Sequence, residues 1–268
     1  MGKEERFFFL PWSLARPSTN LRQNRELSKS SRFTLFTMEE MEGHDLRFRS
    51  PSTFILGGPS QCGKTTFCFN LLRLGTELFE DSRCLKNVIF YFNQWQPSFD
   101  KVKQEENIVK EWVGMLPTSD DIIEKTEKYA DDGGSVIILD DFAQKLNKDT
   151  IDIFSRVSHH TKSTIIAMVQ NIFSKNIAFR DISLNSTYIV LFKNPRDASQ
   201  IASLARQFAP GDTKYIVESY RDATKEPHTY VIFDMHQKTP DWLRVRTNIF
   251  PHEAPMLAFT SRKRKPTQ

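Results

Sequence analysis

Residues Gly58-Pro59-Ser60-Gln61-Cys62-Gly63-Lys64-Thr65 fit the spacing G-x-x-x-x-G-K-[ST], which suits chemistry on a phosphate chain. Gly58 and Gly63 permit backbone dihedrals and a close approach that a Cβ would obstruct. The loop amides and the start of the following helix would then offer hydrogen-bond donors to the phosphates. Lys64 would reach the β- and γ-phosphate oxygens, and Thr65 would place its hydroxyl on Mg²⁺, with Thr66 closing the set of nucleotide contacts. The plainer alternative is a glycine-rich turn ahead of an ordinary helix.

A second group follows the apolar run Val136-Ile137-Ile138-Leu139, which ends in Asp140-Asp141. A carboxylate at the end of a buried strand beside a phosphate loop can hold Mg²⁺. Its neighbour can orient or deprotonate an attacking water. Asp140 is therefore assigned to the metal and Asp141 to the water, and two adjacent acids favour a hydrolase over a simple nucleotide switch. Gln170 and Asn171 follow the run Ser163–Val169. A side-chain amide there can bond a γ-phosphate or the water, so Gln170 joins Lys64 and Asp141 as a candidate catalytic residue. ATP and Mg²⁺ are the cofactors these groups call for.

Other residues are ambiguous. Arg156, Arg180 and Arg196 are candidates for a positive charge supplied by a neighbouring subunit to the transition state, against a surface or ion-pair role for each. His159-His160 has no partners at a zinc spacing and reads as a loop or helix-end pair. Cys62, Cys68 and Cys84 are odd in number and contain no CxxC, which argues against a disulfide framework and for a reducing compartment.

These groups need a scaffold, and the composition supplies one. In 268 residues, 39% are hydrophobic and 26% charged, a globular profile with mass for one large core that excludes wholesale disorder. The 22 Phe predict a phenylalanine-rich core, and a net charge of +4 permits a polyanionic partner without requiring one. No apolar run reaches the length of a membrane span, and the start lacks the features of a secretory signal.

Apolar runs alternating with amphipathic stretches predict an α/β domain: a central, mostly parallel sheet flanked by helices, of P-loop NTPase type. Strands are expected at Thr53–Leu56, Asn87–Phe92, Ser135–Leu139, Ser163–Val169, Tyr188–Phe192 and Tyr230–Phe233. Helices are expected at Lys64–Leu74, Ile108–Met115, Asp120–Tyr129 with Ser119 as N-cap, Thr150–Val157, and from about Ala198 and Asp212. Residues 51–254 form the expected domain. Residues 1–50 read as a disordered arm, with Met38 an alternative start, and 255–268 as a basic tail ending in Arg262-Lys263-Arg264-Lys265. The tail reads as solvated, with nuclear import or DNA contact as the second reading.

The phosphate loop, Asp140-Asp141 and Gln170 follow in the order found in the FtsK–HerA superfamily. Together with Tyr188–Asp197 and Leu243–Phe250 they resemble its viral branch, the poxvirus-type genome-packaging ATPases also carried by Polinton/Maverick elements and adintoviruses. The resemblance spans roughly residues 52–250. It implies an ATP-driven motor on double-stranded DNA, working as a homo-oligomeric ring with capsid proteins as further partners. It implies a place inside the cell, in the host nucleus or a cytoplasmic virus factory, and association with the virion. Asp141 departs from the Glu that many cellular members carry as the second acid. Two other classes stay open on the residues alone: a small-molecule or nucleotide kinase, and a non-catalytic nucleotide-dependent interaction protein.

Overall fold

The computed structural model describes residues 33–37, 39–105, 107–141, 151–170, 172, 182–195, 198–253 and 255–261. Ten strands form one sheet: β1 (Phe33–Thr37), β2 (Thr53–Gly57), β3 (Val88–Phe92), β4 (Glu111–Val113), β5 (Val136–Asp140), β6 (Thr164–Val169), β7 (Tyr188–Phe192), β8 (Tyr230–Asp234), β9 (Val245–Thr247) and β10 (Leu257–Ser261). Their order across the sheet is β1-β10-β9-β8-β7-β2-β6-β5-β3-β4. From β7 to β4 every neighbouring pair is parallel. From β7 to β1 every pair is antiparallel. The α/β architecture is as expected, with a six-strand parallel half and a four-strand antiparallel extension.

The helices used below are α1 (Lys64–Arg73), α2 (Pro97–Glu105), α3 (Ser119–Thr126), α4 (Ala198–Phe208) and α5 (Thr213–Ala223). Strand β5 shows why the parallel half reads as continuous apolar runs, being covered on both faces. Val136 and Ile138 enter one core with Phe54, Phe69 and Phe90, while Ile137 and Leu139 enter a second with Ile55, Ile165 and Phe154. The first core is rich in phenylalanine, as the composition predicts. A third core packs α4 and α5 against β7, β8 and β10 through Leu204, Tyr215, Ile216 and Phe233.

Several expectations are corrected. The stretch Ile108–Met115 is not a helix: it carries the edge strand β4, and the helix lies earlier, at α2. Ile108 and Trp112 have helical spacing, yet Trp112 instead packs on Phe90, Trp95 and Phe99, and tertiary packing overrides the periodicity. The N-cap of α3 is Thr118, not Ser119, because Thr118 and Asp121 bond each other's backbone amides reciprocally. A π-helix at Ile153–Val157 occupies the expected helix before β6.

The expected limits 51 and 254 also do not bound the sheet. Phe33–Thr37, within the stretch read as a disordered arm, pairs with Leu257–Ser261, within the stretch read as a tail. Leu35 and Phe259 pack on the third core, which ties both segments to the domain. The Arg262–Lys265 cluster and Met38 lie outside the described residues.

Candidate phosphate-binding site

Parallel register brings the chemistry to the carboxyl ends of the parallel strands. Gly57 pairs with Val169, Asp140 with Met168, and Phe92 with Asp140, so β2, β6, β5 and β3 end nearly level. The residues that follow them therefore emerge side by side: Gly58, Gln170, Asp141 and the turn after Phe92. Backbone bonds fix this arrangement, from Gly58 N to Val169 O at 3.2 Å and from Asp141 N to Met168 O at 3.1 Å.

The loop runs from the end of β2 into α1. Gln61 and Gly63 take left-handed dihedrals, φ 63° and 108°. Gly58 lies so close to its surroundings that a Cβ would stand 2.7 Å from Cys62 Sγ and 2.8 Å from Phe192 Cβ. Gly63 caps α1 without a side-chain acceptor, and the first turn of α1 has no acidic residue. Amides at that end are thus open to an anion, with no acidic residue in the first turn to compete for them. Lys64 Nζ donates to Gly58 O at 2.6 Å and Pro59 O at 2.9 Å, so its charge sits over the loop. Pro59 and Thr65 are half-buried, whereas Ser60, Gln61 and Thr66 are exposed and Cys62 is buried. Burial pushes the Cys62 thiol up, which keeps it protonated despite the nearby ammonium.

The acid pair divides sharply. Asp140 is 4% exposed, and Gln96 Nε2 donates to its Oδ2 at 3.0 Å. Burial first, and then the charge of Asp141, push the Asp140 carboxyl up to about 6, with Lys64 acting in the opposite sense. Asp141 is half-buried with φ 57°, and its Oδ2 accepts a 2.9 Å bond from Gln170 Nε2. Thus the expected Lys64, Asp140, Asp141 and Gln170 come together beside the loop, and the two acids carry separate amide partners.

The donor set suits a hard cation held by few protein oxygens. Thr65 offers a hydroxyl and Asp140 its Oδ1, with Asp141 alongside. Among the described residues no cluster of three or more His, Cys, Asp or Glu could form an all-protein cage. Magnesium keeps waters and shares substrate phosphates, so this sparse set fits it.

Of the three arginines, Arg156 lies on the π-helix, with contacts to Asp152 Oδ2 at 3.9 Å and Ser119 Oγ at 3.5 Å. Arg180, Arg196 and Asn171 lie outside the described residues. His159 and His160 are exposed at the end of a short helix, and all three cysteines are free and buried. Sequence reasoning missed Gln96. Its one signal was an amide in a polar turn directly after a strand, Asn93-Gln94-Trp95-Gln96, but that strand's place beside β5 is a product of topology.

Sheet order, the loop at the end of β2 and the helix behind it define a P-loop NTPase fold. No protein-family model matches the chain, and no curated protein matches it. Similar solved structures include the genome packaging NTPase B204 from Sulfolobus turreted icosahedral virus 2 in complex with ATP-gammaS. That pair shares 13% identity with a TM-score of 0.43, over 74% of this chain and 96% of that one. The KaiC-like protein PH0186 from Pyrococcus horikoshii OT3 has 12% identity and a TM-score of 0.40, over 79% and 91%. These likenesses are distant, and the fold assignment rests on the chain's own sheet and loop. Among the described residues no helix is long and apolar enough to cross a membrane.

Proposed function

We propose that this chain is an ATP-hydrolysing motor that moves double-stranded DNA, assembled as a ring and serving to package a viral or virus-like genome into a capsid. The observation that carries the hydrolytic part is the division of labour at the strand ends: Asp140 bonded to Gln96, Asp141 bonded to Gln170, and Lys64 over the adjacent loop. A kinase needs to exclude water from the γ-phosphate; here a half-buried carboxylate and an exposed amide stand ready to order one.

In this reading the loop amides and the N-terminus of α1 bind the phosphates. Lys64 exchanges its two carbonyl acceptors for phosphate oxygens, where its charge counts most as negative charge shifts toward the leaving group. Thr65 and Asp140 would hold Mg²⁺, which would supply positive charge to offset the negative charge developing on the phosphates. Asp141 aligns the attacking water and accepts its proton. Gln170 fixes the Asp141 carboxylate and links it to the end of β6, so a change at the γ-position can reach the sheet. Translocation of DNA is supported by the ordered motif set of the packaging ATPases. Arg156 is the described candidate for a charge given in trans.

The test is phosphate release measured over a range of protein concentrations, with and without duplex DNA. Turnover per subunit is expected to rise with concentration, because an arginine supplied in trans contributes about 10³–10⁵ in rate. It is expected to rise again with duplex DNA, with a stimulation that falls steeply with salt and hardly varies with DNA sequence. Concentration-independent turnover that ignores DNA would overturn the motor and restore a self-contained phosphotransferase.

A further inference from the structure

The turn between β3 and α2 is built to hold one side chain still. Phe92, the last residue of β3, sits directly opposite Asp140 in the sheet, and five residues later the chain enters α2 at Pro97. Gln96 precedes that proline, which restricts its backbone to extended conformations. Its carbonyl accepts the first helical bond, from Phe99 N at 2.9 Å. Next to it, Trp95 packs on Phe92, Phe99 and Trp112 at centroid separations of 5.1, 5.5 and 5.3 Å, and its Nε1 donates to Asp100 Oδ1 at 3.0 Å. The backbone of Gln96 is thus held on both sides while its side chain crosses to Asp140, with Nε2 3.0 Å from Oδ2.

We propose that Gln96 is a positioning residue for the metal: by occupying Asp140 Oδ2 from a rigid turn, it aims Oδ1 at the Mg²⁺ of the nucleotide complex. This rests on the reading of Asp140 as the metal carboxylate. A buried carboxylate with one oxygen tethered presents the other in a single orientation, so little rotamer freedom is left to lose when the cation arrives. The tether also joins the site to the aromatic cluster of Trp95, Phe99 and Trp112.

The test uses the full chain with a nonhydrolysable ATP analogue and Mn²⁺ as the probe, following free Mn²⁺ by electron paramagnetic resonance. Gln96→Met keeps the length of the side chain and removes the donor. It is expected to weaken Mn²⁺ in the ternary complex about tenfold, the scale of one hydrogen bond to a charged group. Binding of the analogue in EDTA is expected to stay within about twofold of wild type, since that contact set lies on the loop. In an Asp140→Asn background Gln96→Met is expected to cost nothing further, because the two act through one carboxylate. Wild-type Mn²⁺ affinity in Gln96→Met would overturn the inference, as would additive losses in the double variant or an equal loss of metal-free binding. If wild type itself shows no nucleotide-dependent Mn²⁺ binding, the functional reading fails, and the inference with it.

Discussion

The two halves of the sheet place their polar groups for opposite ends. In the parallel half, polar side chains gather beyond the strand ends, on backbone that is locally unfavourable. Gln61 and Asp141 both take φ near 60°, and Asp140 is buried beside a second carboxylate. In the antiparallel extension, several buried polar groups are paired inside the domain, although Arg246 Nε and Thr260 Oγ1 are buried without a hydrogen-bond partner among the described residues. Arg246 Nη2 lies 2.7 Å from Asp234 Oδ2 with both residues almost fully enclosed, and its Nη1 reaches Leu46 O at 2.9 Å. Tyr230 OH donates to Glu253 Oε2 at 2.6 Å, and Tyr215 OH to Phe259 O at 2.7 Å. One half stores unfavourable electrostatics where a charged ligand can relieve it; the other uses the same residue types to close the domain. The contrast implies that substitutions in the first half change rates and binding, while those in the second change stability.

The sharpest test of that contrast is Lys64→Ala. Turnover is expected to fall by at least about 100-fold, while the unfolding midpoint stays near that of wild type. Steady-state phosphate release and thermal melts on the same preparation check both. Asp234→Ala should do the reverse. It strands the buried Arg246 charge and is expected to cost about 3–5 kcal/mol in denaturant unfolding, with turnover per folded molecule unchanged.

A third variant crosses between the two categories. The Asp140 carboxyl is raised to about 6, above its ordinary value of 3.8, so the folded state holds its proton more tightly than the unfolded state. Stability from this group is greatest below pH 4 and is lost as pH rises through 6, by on the order of 3 kcal/mol. In metal-free buffer Asp140→Asn is therefore expected to be more stable than wild type at pH 8, and the gap should close toward pH 4. Unfolding curves across that range would show it. A site residue that stabilises the fold when neutralised is what unfavourable electrostatics stored at the strand ends require. The smallest effect concerns the cap of α3: Thr118→Ala is expected to cost about 1 kcal/mol. Ser119→Ala should cost less, because among the described residues the Ser119 hydroxyl has a long 3.5 Å contact from Arg156 and no capping bond.

Legibility in the sequence followed local signals rather than the division into halves. Gly58–Thr65, Asp140-Asp141 and Gln170 could be placed from residue types alone, because buried parallel strands are unbroken apolar runs and the polar residue ending each run marks the site. Strand β4 was misread because it has three residues, and its central Trp112 answers to an aromatic cluster drawn from distant segments. The pairing of β1 with β10 joins residues more than two hundred positions apart. Neither local propensity nor periodicity carries that information. Gln96 was hidden for the same reason, since its partner Asp140 is adjacent only after β3 and β5 pair.

The central claim is that the strand-end acids hydrolyse ATP, with Asp141 acting on the water. Single-turnover conversion of ATP, with protein and duplex DNA in excess, measures this step without product release. Wild type is expected to convert the bound ATP to ADP and phosphate. Asp141→Asn is expected to bind it equally well and convert it at least about 100-fold more slowly. Conversion by Asp141→Asn at the wild-type rate, or none by wild type, would contradict the claim.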